Sequence, residues 1–155
     1  ISTNDFSASI NTGENSISNS TGFNSVSING GKYGLAISTG IDNLSTSSGT
    51  ESVAISTGYN STSTNTGRHG VAISTNDFGT ANVHEKDSTD SIAISTGYAS
   101  RAKGSLGCWL VLIERNHNGH ILNIQSVKVD GESIKPDTFY MLVEGKVVKA
   151  ESEEE

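Results

Sequence analysis

The acidic residues of the chain are candidate calcium ligands, because the sequence repeats every nine residues and nonapeptide solenoids often bind calcium. Such rolls repeat an Asp at one fixed position of each unit. Here the carboxylates Asp5, Glu14, Asp42 and Asp77 are sporadic and do not recur at one position in successive units. The repeats therefore do not predict a calcium site.

Zinc would need three or four His, Cys or carboxylate ligands. His117 and His120 flank a predicted hairpin turn, with only Glu114 and Cys108 nearby, so we interpret both histidines as turn residues. Cys108, the only cysteine, lies in the apolar run CWLVLI and is expected to be buried. No metal and no cofactor is predicted.

Catalysis is not predicted either. A Ser-His-Asp arrangement can be drawn in many ways in a chain this rich in Ser and Thr, so no single one is informative. The sequence has no Gly-x-Ser-x-Gly elbow and no Gly-rich phosphate loop before a helix. We expect a protein that is not an enzyme.

The fold is indicated by a phrase close to Ile-Ser-Thr-Gly-x-x-Ser-Val-Ala, which repeats from residue 1 to about residue 103. Units of this size stack on their neighbours, which predicts an all-β parallel solenoid, or β-roll. Apolar phrases such as Val53-Ala54-Ile55 alternate with polar ones such as Thr62-Ser63-Thr64, so the true coil is predicted to contain 18 residues and two strands. About six coils at roughly 4.8 Å each would form the rod.

Positions eight and one of the unit lie two residues apart in a strand and should share a face. Because they carry Val and Ile, for example at 53, 55, 71 and 73, we expect them to point inward. Position three carries a column of Thr that would share this face, namely Thr3, Thr12, Thr21, Thr39, Thr57, Thr66 and Thr75. Threonine ladders can bind ice, but we expect these threonines to be inward hydroxyls, which leaves ice binding a minor alternative.

Residues 82–93 break the period with three extra residues. The expansion is the most charged part of the repeats, and loops on rigid scaffolds often carry recognition. The candidate partner-binding residues of this loop are His84, Glu85, Lys86, Asp87 and Asp90. A structurally tolerated bulge is the alternative.

The pattern changes after Gly104. Apolar runs at 108–115, 120–130, 138–143 and 146–150, separated by Asn-Gly and Glu-Gly turns, predict an antiparallel β cap. We therefore expect a solenoid domain over residues 1–104 and a small β-hairpin cap domain over 105–155. The chain starts on Ile1 in register with the repeat, so the natural chain is expected to continue upstream.

The phrases Ser-Val-Ala-Ile (52–55), Ser-Ile-Ala-Ile (91–94) and Gly-Tyr-Ala-Ser-Arg-Ala-Lys-Gly-Ser-Leu-Gly (97–107) resemble the head repeats of trimeric autotransporter adhesins. Related repeats occur in bacteriophage tail fibres. The resemblance covers about two-thirds of the chain. It implies a left-handed parallel β-roll, three chains side by side and a role in surface adhesion.

The composition fits this expectation. A net charge of −7 without a basic stripe disfavours nucleic-acid binding. No apolar run approaches the 18–20 residues of a membrane span. We expect an extracellular, non-catalytic homotrimer on a bacterial surface or a virion, binding a host surface protein or glycan. The alternative is a purely structural trimeric shaft with a C-terminal assembly cap.

Overall fold

Two parallel sheets wind through the repeats as a solenoid. The computed structural model describes residues 1–84 and 90–150. From residue 8 to residue 83, successive strands of one sheet lie 18 residues apart, as in the pairs Val53–Val71 and Thr62–Thr80. The predicted all-β class, parallel solenoid and 18-residue, two-strand coil are confirmed, and the described residues contain no helix.

Sheet A has seven strands. The first six run parallel to one another, and the seventh is antiparallel to its neighbour. In spatial order they are β2 (Ile17–Thr21), β4 (Leu35–Thr39), β6 (Val53–Ser56), β8 (Val71–Ser74), β10 (Ile92–Ser95), β12 (Trp109–Arg115) and the antiparallel β13 (Ile121–Lys128).

Sheet B faces sheet A and has eight strands. The first six are parallel, and each of the last two is antiparallel to the strand before it. Its order is β1 (Ala8–Asn11), β3 (Val26–Asn29), β5 (Leu44–Ser47), β7 (Thr62–Asn65), β9 (Thr80–Val83), β11 (Arg101–Gly104), β14 (Tyr140–Val143) and β15 (Lys146–Lys149).

The expectation that Val and Ile point inward is wrong. In β6 the buried residues are Ala54 and Ser56, while Val53 and Ile55 face outward and are only partly covered. The same alternation recurs in β4, β8 and β10. The position-three threonines also lie on the outside: Thr57 is half-buried and Thr75 is exposed.

Side-chain size explains the inversion. The two sheets approach so closely that serines of sheet B donate hydrogen bonds across the interior to carbonyls of sheet A, as Ser45 does to Ala36 (2.7 Å) and Ser63 to Ala54 (2.6 Å). In these coils only small side chains fit between the sheets, whereas the fully buried Val83 of β9 lies where the larger C-terminal core begins. Larger apolar side chains therefore occupy the exterior.

The turns are equally tight. Glycines stack along one edge of the solenoid, and a Cβ at Gly67 would overlap the carbonyl oxygen of Gly49 in the preceding coil. Buried asparagines hold these turns: the Asn65 side chain donates to Ser52 O (2.7 Å) and accepts from Gly67 N (2.8 Å). Asn29 makes the corresponding bonds two coils earlier.

A larger apolar core forms only at the C-terminal end. The antiparallel strands predicted there are present, and β14 closes sheet B by pairing with β11 at Ala102–Tyr140. Leu110, Leu112, Val129 and Leu142 are at most 5% exposed and pack together with the fully buried Cys108, as expected for that residue. The predicted boundary at residue 104 falls between β11 and β12, and β12 continues sheet A in parallel with β10.

Candidate binding surfaces

The outer face of sheet A is an array of apolar and threonine side chains. Ladder pairs align Val53 with Val71 and Ile55 with Ile73, and the next strand continues both columns. The face comprises three columns: Ile17, Leu35, Val53, Val71, Ile92 and Trp109; Asn19, Ile37, Ile55, Ile73, Ile94 and Val111; and Thr21, Thr39, Thr57, Thr75, Thr96 and Ile113. Contiguous apolar surface of this extent is typical of an interface.

One edge of the solenoid carries a row of exposed rings, which we call the aromatic edge. It is formed at the turns from sheet A to sheet B by Phe6, Phe23, Tyr59, Phe78 and Tyr98, with the exposed Ile41 between Phe23 and Tyr59. Neighbouring rings meet edge to face, with centroids 5.4 Å apart for Tyr59–Phe78 and 5.9 Å for Phe78–Tyr98. Aspartates fix the turns: Asp77 accepts from the Tyr98 amide at 2.9 Å.

A groove lies between two rings of the aromatic edge and the β14–β15 hairpin. We call it the junction groove. It has a volume of about 880 Å³, within the range typical of small-molecule sites. Its lining residues are Tyr59, Asn60, Phe78, Ala99, Arg101, Met141, Val148, Lys149 and Ala150. It therefore combines side chains from three coils of the solenoid and from both strands of the hairpin.

Two cations flank one ring beside this groove. The Arg101 guanidinium and the Lys103 ammonium each lie 4.7 Å from the centre of the Phe139 ring, a cation–π geometry. Arg101 Nε also donates to Thr80 Oγ1 at 3.3 Å, which orients the guanidinium. Of the two cations, only Arg101 lines the groove.

Sequence reasoning did not identify the aromatic edge or the groove. The aromatic edge had a signal, since Phe23, Tyr59 and Tyr98 recur at the same turn of different coils. The groove had none, because it depends on a hairpin that starts about 40 residues after Tyr98 and pairs back onto β11.

Of the predicted loop, only His84 and Asp90 lie among the described residues, and both are exposed; Glu85, Lys86 and Asp87 lie outside them. The three extra residues are visible in the strand pairing, because Ile92 pairs with Val71, which lies 21 residues earlier and not 18. His84 Nδ1 lies 3.1 Å from Asp137 Oδ1, so the solenoid end of the loop contacts the C-terminal segment.

His84 is also 3.4 Å from Ser105 Oγ, which raises the question of a catalytic triad. A triad places the carboxylate on one ring nitrogen of the histidine and the serine on the other. Here both partners contact Nδ1. This arrangement is suited to holding the C-terminal segment against the solenoid.

The other residues considered for metal binding are dispersed. Cys108 is buried, His117 and His120 are exposed in the β12–β13 turn, and Glu114 contacts the β14–β15 turn. Within residues 1–84 and 90–150, no group of three His, Cys, Asp or Glu side chains is arranged to hold a metal ion. The same ranges include no helix that could span a membrane.

Glu114 connects β12 to the β14–β15 hairpin. Its carboxylate accepts from the backbone amides of Gly145 (2.9 Å) and Glu144 (2.8 Å) and from the Asn123 side chain (2.7 Å). The bonds from Gly145 and Asn123 are the main causes that lower the pKa of Glu114 below its ordinary value. This carboxylate thus helps to position one wall of the junction groove.

Comparison with protein-family models, curated proteins and solved structures found no match to this chain.

Proposed function

We propose that this chain is a non-catalytic rod of an extracellular bacterial adhesin or a phage tail fibre that assembles as a homotrimer and binds a host surface protein or glycan. The observation that carries the proposal is the apolar outer face of sheet A. A solenoid whose interior is built from Ser, Ala and Asn buries little apolar surface by itself, and association through this face would supply the missing burial.

The accessible surfaces of such an assembly support a binding role. The aromatic edge lies at the turns and the junction groove beside the β14–β15 hairpin, not on the outer face of sheet A. Three chains in contact through that face are expected to leave both accessible. Repetition in three copies would raise the avidity of a weak contact. The adhesin-like phrases at 52–55, 91–94 and 97–107 support the same function.

The proposal is tested in two steps. Light scattering on the purified chain should give a mass of three times 16.2 kDa. Labelled protein should then bind host cells or a glycan array. As the control, the same protein unfolded beforehand should not bind. A trimer that binds neither would favour the purely structural shaft with a C-terminal assembly cap. A stable monomer would contradict the proposed homotrimer.

Ice binding is the second candidate, because the outward threonine column removes the reason for setting it aside. Thr57 and Thr75 lie on the outer side of sheet A, in successive coils about 4.8 Å apart. The same face cannot be buried in a trimer and bind ice. Thermal hysteresis by a monomeric chain, abolished by Thr57→Lys, would establish this function in place of the adhesive rod.

A further inference from the structure

The junction groove has the chemistry of a ligand site. Tyr59 and Phe78 form one wall and remain 49% and 45% exposed, because rings that meet edge to face do not cover each other. Met141 and Val148 of the hairpin form the opposite wall. Flat apolar walls of this kind can pack against the C–H face of a sugar ring.

The charged groups of the groove are cationic. Arg101 and Lys149 line it, and none of its described lining residues carries a carboxylate. In a chain of net charge −7, this local excess of positive charge points to an anion. The planar guanidinium of Arg101, oriented by Thr80, matches the two oxygens of a carboxylate.

We propose that the junction groove binds a carboxylated sugar ring, with the ring on Tyr59 and Phe78 and the carboxylate at Arg101 and Lys149. Asn60, whose amide nitrogen is bonded to Asp42 Oδ1 (2.7 Å), lies where it can contact sugar hydroxyls. The inference rests on the proposed display function and names the class of ligand that the rod would bind.

The ligand arm of the test uses the whole chain and trigalacturonic acid, with its methyl ester as the uncharged control. Saturation-transfer NMR and calorimetric titration should show the acid binding at least about tenfold more tightly than the ester. 3′-Sialyllactose against lactose tests the other natural source of a carboxylated ring. Equal binding of acid and ester, or no transfer to either acidic sugar at about 10 mM, would overturn the proposal.

The protein arm uses charge-matched variants. Arg101→Gln should weaken binding of the acidic sugar about tenfold. Lys103→Gln removes the same charge from the same strand and the same Phe139 ring but lies outside the groove lining, so it should change the dissociation constant by less than about twofold. Equal effects of the two variants would mean that only net charge matters, which contradicts a built site.

A second pair covers the case in which Arg101→Gln unfolds the junction. Tyr59→Ala alters an exposed turn side chain in the groove, and Tyr33→Ala alters one on the opposite edge. Only the Tyr59 variant should lose sugar binding. A tetraglutamate peptide tests for a protein ligand, and tighter binding of this peptide than of the sugar would overturn the inference.

Cell adhesion separates this inference from the proposed function. If the chain adheres and the Arg101→Gln variant adheres equally, the display function stands and the groove inference fails. If the chain binds the acidic sugar but adheres to no host cell, the groove inference stands and the adhesive function fails.

Discussion

Alanine and serine at the inward positions determine how closely the two sheets approach. Ala54 is fully buried, and its carbonyl accepts a hydrogen bond from Ser63 on the facing strand at 2.6 Å. A side chain longer than one heavy atom beyond Cβ has no space there. The interior is therefore specified by small residues, and the neighbouring Ile55 contributes to the outer face instead.

Ala54→Leu should accordingly destabilise the chain by about 3 kcal/mol, because three added carbons must displace the facing strand. Ile55→Val, one position away, should lower the free energy of unfolding by less than about 1 kcal/mol. Urea unfolding followed by circular dichroism measures both. A tolerated Ala54→Leu together with a larger loss for Ile55→Val would place Ile55 in the interior.

Asn65 is the polar counterpart of these small residues, since its buried amide bonds Ser52 O, Val71 O and Gly67 N. Asn65→Ala should cost about 3 kcal/mol because it leaves buried backbone groups without partners. Asn65→Ser should cost less, as Ser47 at the equivalent position still bonds Val53 O at 2.8 Å. Thr64→Ala, on the outer face, is the control, and a loss equal to that of Asn65→Ala would contradict the role of the buried amide.

At the scale of elements, the C-terminal hairpin is attached to the solenoid by one backbone ladder pair, by buried side chains and by one carboxylate. β14 meets β11 at a single ladder pair, Ala102–Tyr140, and Glu114 joins β12 to the β14–β15 turn. The placement of the hairpin, and with it one wall of the junction groove, thus depends partly on an ionised carboxylate.

The attachment of the hairpin should consequently depend on pH. The folded-state pKa of Glu114 lies below its ordinary value of 4.5, so its stabilising contribution is present above that value and is lost as pH falls through the lowered pKa. Hydrogen exchange of β14 and β15 should accelerate below about pH 4.5 relative to β6. Glu114→Gln should show the faster exchange already at neutral pH.

Asp130 is the internal control, because hydrogen bonds from the Ile134 and Glu132 amides lower its pKa in the same direction. Asp130→Asn should act on the segment before β14 and leave exchange in β15 unchanged at neutral pH. Unchanged exchange in Glu114→Gln across the whole pH range would mean that the carboxylate does not hold the hairpin.

The strands could be predicted from the sequence because nine-residue periodicity and turn dipeptides are local signals. Alternation also showed correctly that Val53 and Ile55 share a face, but period-two alternation does not say which face is inside. The usual rule that apolar residues are buried failed along the repeats, because the interior there is too narrow for them. The groove was beyond prediction, since Tyr59 and Val148 meet only through the long-range pairing of β14 with β11.

At the scale of the whole molecule, polar and apolar surfaces are inverted relative to an ordinary globular core. Serines fill the interior along most of the rod, while the partly exposed Val, Ile and Thr columns cover sheet A. A monomer in this form leaves much of its apolar surface in water. Its stability is expected to depend on association with further copies of the chain.

The melting temperature should therefore rise with protein concentration, by about 5 °C between about 1 and 100 µM, because association stabilises only the folded chain. Ile73→Lys places a charge in the middle of the sheet A face and should abolish this dependence while preserving the β-sheet circular dichroism spectrum. Thr64→Lys adds the same charge to the outer face of sheet B and should leave the dependence intact. A wild-type melting temperature that does not change with concentration, together with a 16.2 kDa species in solution, would show that the apolar face of sheet A stays exposed and serves another ligand.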